Sequence, residues 1–148
     1  YRKLNLCHHQ HHRAPGTAED PDFHAERPEA FLPWFYGFFT RYFGWREFAI
    51  VTAVLIAYLL IGATVANLIL FWALPAILSA LQLFVFGTWL PHRHTNGDGF
   101  ADQHNARTIP MPWIASLLTC FHFGLHHEHH SSPSTPWWAL PKVRIERA

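Results

Sequence analysis

The chain has 148 residues, enough for one ordinary domain, and 50% are apolar while only 14% are charged, against about 25% charged in a typical soluble domain. That apolar content excludes a disordered chain, and a net charge of +1 leaves no surplus of cations for a nucleic-acid partner. Two cysteines exclude a disulfide scaffold and a Cys-rich zinc module, and the outlier is histidine, with 13 residues against 11 Lys and Arg together.

The first predicted element is a short helix carrying His8-His9-Gln10-His11-His12 and ended by Pro15-Gly16. Residues three and four apart share a helix face. The H-x-x-H-H spacing therefore puts His8, His11 and His12 on one side and turns His9 away. Asp20, Asp22 and His24 follow closely. They suit hydrogen bonds that orient metal-bound imidazoles through the second ring nitrogen, and they suit an ordinary polar loop equally well. The opening residues lack the basic stretch, apolar run and cleavage site of a signal peptide, and the chain is read as N-terminally incomplete.

Residues 31–45 (FLPWFYGFFTRYFGW) are aromatic, include Arg41 and are too few to span a bilayer. Trp and Tyr favour the headgroup level, which predicts an interfacial helix. Residues 48–91 then contain no Asp, Glu, Lys or Arg over 44 positions. One helical crossing needs about 20 apolar residues. Two crossings are therefore predicted, at 47–64 and 68–90, with a turn near Gly62–Asn67 and a kink at Pro75. A buried helical pair in a soluble core is the alternative, and such cores carry polar stripes that this run lacks. All 11 Lys and Arg lie in the flanks, which places both flanks on the cytoplasmic side. The two His-rich segments thus share one face of the membrane.

His92 stands at the mouth of the second predicted crossing, with His94 and His104 nearby. Of these three, His92 is the candidate ligand, because its helix end holds it closest to the site; solvated or hydrogen-bonded roles suit the others. Residues 109–121 form another short apolar stretch, read as interfacial, and lead into His126-His127-Glu128-His129-His130. His126, His129 and His130 repeat the first spacing, with Pro133 after them. His122, four residues before His126, extends the stripe by one turn, and Glu128 points away from it toward solvent or an outer hydrogen-bonding role. The fold class that results is all-α, a single integral membrane helical bundle over 1–148: a two-helix transmembrane hairpin with interfacial helices.

Imidazole suits Zn, Cu, Fe and Ni. Six convergent His exceed what one tetrahedral zinc uses, which points to two metals or to one metal with further orienting His. Surface polarity explains one H-x-x-H-H motif but poorly explains two at the ends of one hairpin. A bis-His haem protein or a metal transporter would carry ligands inside the spans, where residues 48–91 offer no His and only Asn67 and Gln82 as polar amides. A metal-binding or transport protein and a structural membrane anchor remain the non-enzyme readings.

Taken together, HHQHHRAPGTAEDPDFH, LFVFGTWLPHRHT, DQHNAR, LLTCFHFGLHHEHH and TPWWALP closely resemble the bacterial-type β-carotene ketolases, within the membrane fatty acid desaturase/hydroxylase-like group of non-haem di-iron oxygenases. The resemblance implies a membrane enzyme that binds two Fe, activates O2 and draws electrons from a partner such as ferredoxin. It implies oxidation of carbon 4 of the β-ionone rings of β-carotene, giving echinenone and canthaxanthin by two hydroxylations and loss of water. By the same likeness His8, His11, His12, His126, His129 and His130 are metal ligands, with His92 and then His122 carried over less directly. A carotenoid 3-hydroxylase or a lipid desaturase shares this metal logic. The family also has an earlier H-x-x-x-H motif, which has no counterpart before Cys7. The resemblance therefore implies that this chain by itself is inactive and binds iron poorly.

Overall fold

A computed structural model describes residues 2–94 and 99–147, with side chains described as far as Arg144. Among the described residues the structure is helical, without strands. The helices are α1 (Arg2–Arg13), α2 (Phe31–Tyr42), α3 (Trp45–Leu60), α4 (Val65–His92), α5 (Trp113–Leu118), α6 (His126–Ser131) and α7 (Leu140–Arg147), the last entered through a 3₁₀ turn at Trp137–Ala139. Thr95, which closes one of the family-like stretches, lies outside the described residues.

The uncharged run is divided differently from the expectation. α3 has 16 residues, about 24 Å at 1.5 Å per residue, which is short of a hydrocarbon core of about 30 Å. It stops at Leu60 rather than 64 because Gly62 takes φ +95° in the turn that follows. Thr64 then caps α4, its side-chain oxygen accepting the Asn67 N–H at 3.2 Å, so Asn67 sits in the first helical turn and not in the loop. α4 has 28 residues and is, among the described residues, the one helix long and apolar enough to cross a membrane alone. α2 and α3 reach that length only as a pair bent by 75°.

Pro75 does not break α4. Two π turns, Ile69–Ala73 and Val85–Trp89, each end two residues before a proline, Pro75 and Pro91. Leu74 and Leu90 donate to the carbonyls five residues back, of Ile69 and Val85. A proline ring clashes with the carbonyl four residues before it, and a widened turn is one way a helix absorbs that clash.

The aromatic segment predicted as interfacial has an inner side. Trp34 is buried, and Phe31, Phe35 and Phe38 close around the fully buried Phe84 of α4 with ring centroids 5.1–5.4 Å away. Tyr36, Phe39 and Leu32 of the same helix remain exposed. Beyond this packing, α3 buries no residue, and the first half of α4, residues 65–79, is exposed at all but Leu68, Trp72 and Ala73. A bare apolar surface of that extent is what a soluble monomer avoids and a bilayer accepts.

The stretch 109–121 is helical only over Trp113–Leu118. Pro110 and Pro112 hold its start extended, and Cys120, Phe121 and His122 take φ of 54°, 56° and 66°. Left-handed backbone is costly for such residues, about 1–2 kcal/mol each, so the surroundings must hold it. The Phe121 N–H donates to Leu117 O and the His122 N–H to Ser116 O at 2.8 Å. The His122 ring bonds Ser116 Oγ through Nδ1 at 2.9 Å. This turn redirects the chain so that Phe123 and α6 face α1.

Candidate metal centre

α1 and α6 bring their histidines together at the base of α4. His11, His92, His126 and His130 form one group with all four rings buried, and His8, His12 and His129 form a second, part-buried group. In the first, Nε2–Nε2 separations are 3.0 Å for His11–His130, 2.9 Å for His126–His92 and 3.1 Å for His130–His126. In the second they are 3.1 Å for His12–His8, 3.0 Å for His12–His129 and 3.4 Å for His129–His8.

The two motifs interlock. α1 gives the i, i+4 pair His8 and His12 to the second group and His11 to the first, while α6 gives His126 and His130 to the first and His129 to the second. The adjacent pairs His11-His12 and His129-His130 therefore straddle both groups, because neighbouring residues on a helix point about 100° apart. The groups adjoin through His12 and His130, whose ring centroids are 4.3 Å apart.

The hydrogen bonds behind these rings set their tautomers. His11 Nδ1 donates to Asp20 Oδ2 at 2.8 Å, and His92 Nδ1 donates to the Asn105 carbonyl at 2.7 Å. Since a neutral imidazole carries one N–H, Nε2 of both rings is a bare lone pair aimed into the group. Asp20 is fixed in turn: Gly16 N–H donates to Oδ2 and Asp22 N–H to Oδ1, each at 2.8 Å. Asn105 presents its carbonyl from a left-handed conformation, φ 43°, with its side-chain amide on Pro15 O at 2.9 Å.

Burial also disfavours the charged form of five of the rings. It pulls His12 down to about 3 and His129 to about 4, with neighbouring His adding to the shift, and it holds His8, His126 and His130 below the ordinary 6.5 for the same reasons. Lone pairs converging at this spacing repel unless a cation accepts them. Two nitrogens about 2.0–2.1 Å from one ion and at right angles to each other stand about 3 Å apart, which matches the separations found. Nδ1 of His12, His126 and His130 is buried without a partner, and a ring whose Nε2 lone pair is taken by a metal must carry its proton there. The donor set fits imidazole-binding metals such as iron.

Acid should open this centre. Unfolded His takes up a proton near 6.5, whereas His12 and His129 in the folded protein do so only near 3 and 4. Between those limits the unfolded chain binds more protons, so stability rises with pH through the window and is flat above it. We expect hydrogen exchange in α1 and α6 of the metal-free protein to accelerate as pH falls from 6.5 toward 4, after correction for the intrinsic rate. Unchanged protection over that range would contradict neutral buried rings.

The remaining sequence candidates separate clearly. His122 is buried but belongs to the Ser116 turn, since the left-handed residues before it interrupt the helical spacing assumed for the stripe. Glu128 is not solvated: it is buried and accepts the Thr108 hydroxyl at 2.6 Å. Asp22 accepts from Tyr42 and its carbonyl from the Trp34 indole, and the His24 ring accepts the Arg27 N–H. His94 packs against Phe23 and Phe100, while His127 pairs with Asp102 at 2.8 Å near His104. The Asn105 carbonyl and Thr108 were missed, although Asn tolerates left-handed backbone and so marked a turn in DQHNAR.

A cavity of about 240 Å³ adjoins both groups, lined among others by Leu4, His8, His11, Phe38, Leu83 and Phe123. It is mostly apolar and suits an oily ligand beside a polar reaction centre.

The fatty acid desaturase family model matches residues 40–148. The chain is 48% identical over 147 residues to a β-carotene ketolase of a Paracoccus species, covering 99% of this chain and 59% of that protein. It is 40% identical over 149 residues to a β-carotene ketolase of Haematococcus lacustris, covering 97% and 46%. It is 40% identical over 146 residues to a zeaxanthin 4-ketolase of Chlamydomonas reinhardtii, covering 97% and 33%. The chain thus spans well under two thirds of each relative's length. No solved structure matches it.

Proposed function

The chain belongs to the fatty acid desaturase family, and from that premise we propose that it supplies the metal-binding part of a carotenoid 4-ketolase. The observation that carries this reading is the pair of interlocked His groups beside an apolar cavity. Likeness to three ketolases across nearly the whole chain supports the choice of reaction. The metals are two irons, held by His11, His92, His126 and His130 and by His8, His12 and His129. Iron held by these imidazoles would activate O2 for oxidation of C–H bonds, and that is the chemistry the group would supply when bound.

The chain's own residues hold, orient and seclude. Asp20 and the Asn105 carbonyl fix two rings with Nε2 inward. Burial of the first group keeps water from competing for the site. The cavity brings one ring of a polyene against His8 and His11 while Leu4, Phe38 and Leu83 shield it. Each hydroxylation of a ring methylene uses one O2, two electrons and two protons and releases water; a second at the same carbon gives a geminal diol, which loses water to the ketone. The electrons come from an external donor such as ferredoxin. The apolar helices suit a membrane, and the Lys and Arg of the flanks support a reading in which the His groups face the cytoplasm.

The test is expression from the complete gene in a bacterium that accumulates β-carotene, with pigments separated and weighed by mass spectrometry. Ketones at ring carbon 4, with iron in the purified protein, are expected. Hydroxylated products alone would move the protein to the hydroxylases, and unchanged β-carotene with iron bound would overturn the carotenoid reading.

A further inference from the structure

Thr88 lies in the second π turn of α4 and lines the cavity beside the His groups. It is 6% exposed, and its hydroxyl makes no hydrogen bond among the described residues. Among the described residues Thr52 of α3 also lacks a side-chain hydrogen bond but is not buried. Thr40 and Thr119 rest their hydroxyls on carbonyls four residues back, Tyr36 at 2.8 Å and Ala115 at 3.0 Å. That is the usual partner for a helical threonine, and the widened turn at Val85–Trp89, where Leu90 donates to Val85 O, shifts the carbonyl ladder away from it.

The cavity's other polar groups are committed or peripheral. His8 and His11 belong to the metal groups, Asp22 already accepts the Tyr42 hydroxyl, and Asn5 is exposed at the rim. An apolar cavity of about 150 Å³ can take up benzene. One of about 240 Å³ therefore has room for a methylated six-membered ring, with the attached polyene leaving through the mouth. Its wall is tight at one place: a Cβ on Gly87 would stand 2.8 Å from the Phe123 ring, and Phe123 packs on His126 and His129. A ring seated there lies between the His groups and the turn that carries Thr88.

The Thr88 hydroxyl has no partner among the described residues, and Thr88 lines the cavity, so a ligand hydroxyl there gains a hydrogen bond that an apolar wall would not supply. We propose that the Thr88 hydroxyl binds a hydroxyl on the substrate ring, next to the carbon that is oxidised, and thereby sets how well hydroxylated β-rings compete with unsubstituted ones. This rests on the ketolase reading. It makes Thr88 a specificity-determining residue. An apolar wall would not provide for the added hydroxyl, which would enter the cavity unpaired.

The test uses the protein expressed from its complete gene and supplied with equal amounts of β-carotene and zeaxanthin, which differ by the ring hydroxyls. The readout is the ratio of ketone formed on the hydroxylated rings to that formed on the unsubstituted rings at low conversion, within one sample, so that protein amount cancels. Wild type should ketolate both. Thr88→Val should lower the ratio about five- to tenfold, the size of one neutral hydrogen bond, and Thr88→Ser should keep it. If the valine protein does not accumulate, Thr88→Ala against Thr88→Ser is read in the same way. An unchanged ratio in valine or alanine, the same fall in serine, or a wild type that ignores hydroxylated rings would overturn this proposal and leave the ketolase reading standing. No ketone from either substrate with iron bound would overturn both.

Discussion

On the ketolase reading, replacing His126 by alanine should abolish ketone formation and strip metal from the first His group, with a loss well beyond 100-fold. The ring is 1% exposed and sits between two others, with Nε2 2.9 Å from His92 and 3.1 Å from His130. Removing it takes a donor from the middle of the group, and both neighbours lose their shared partner. Losing only a hydrogen-bond partner of a metal-bound His costs about 10–100-fold; losing a donor itself should exceed that. His122→Ala separates this effect from mere loss of packing. His122 is as deeply buried, at 2%, but its ring bonds Ser116. It should lower the amount of folded protein and leave iron per folded chain unchanged. The measurement is iron per purified chain beside pigment analysis. Full iron and ketone in the His126 variant would remove it from the centre.

What the sequence disclosed at this site was membership, and what it withheld was partition. Helical spacing marked His8, His11, His12, His126, His129 and His130 because side chains three and four apart share a face. It could not assign them to two groups, since a face about 100° wide holds both members of an adjacent His-His pair. That division depends on how α1 and α6 cross, which only their packing at the foot of α4 decides. His92 was legible because a helix end fixes its place. His122 extends the stripe only on a continuous helix, and three left-handed residues before α6 break that spacing. The uncharged run was likewise legible as membrane-compatible, while its breaks were not. Gly44 marks a break between α2 and α3 but not its 75° angle, and the π turns leave only the prolines after them as a trace.

Asp20→Asn should weaken iron binding by about 10–100-fold without removing any of the proposed iron ligands. Three donors converge on this carboxylate: His11 Nδ1 and the Gly16 N–H on Oδ2, and the Asp22 N–H on Oδ1. Asparagine keeps one acceptor and puts an NH₂ in place of the other. With its oxygen toward His11 and Gly16, the NH₂ meets the Asp22 N–H, and donor faces donor. With its oxygen toward Asp22, the NH₂ meets both His11 and Gly16. The second choice frees the His11 ring to turn and takes away its preference for the Nδ1–H tautomer, so Nε2 is no longer held bare. The first choice strains the loop that Asp22 begins, whose carbonyl anchors the Trp34 indole at 2.7 Å. Either way the damage reaches the metal through orientation and not through ligand count. The discriminating readout is metal affinity by competition with a chelator, because a purely structural role would lower folded protein while leaving affinity per folded chain intact. Asp20→Glu offers the check on charge: it restores both acceptors on a longer arm and should recover part of the affinity, whereas Asp20→Ala, with no acceptor at all, should fall below asparagine. An order in which alanine equals or exceeds asparagine would show that His11 is oriented by something other than this carboxylate.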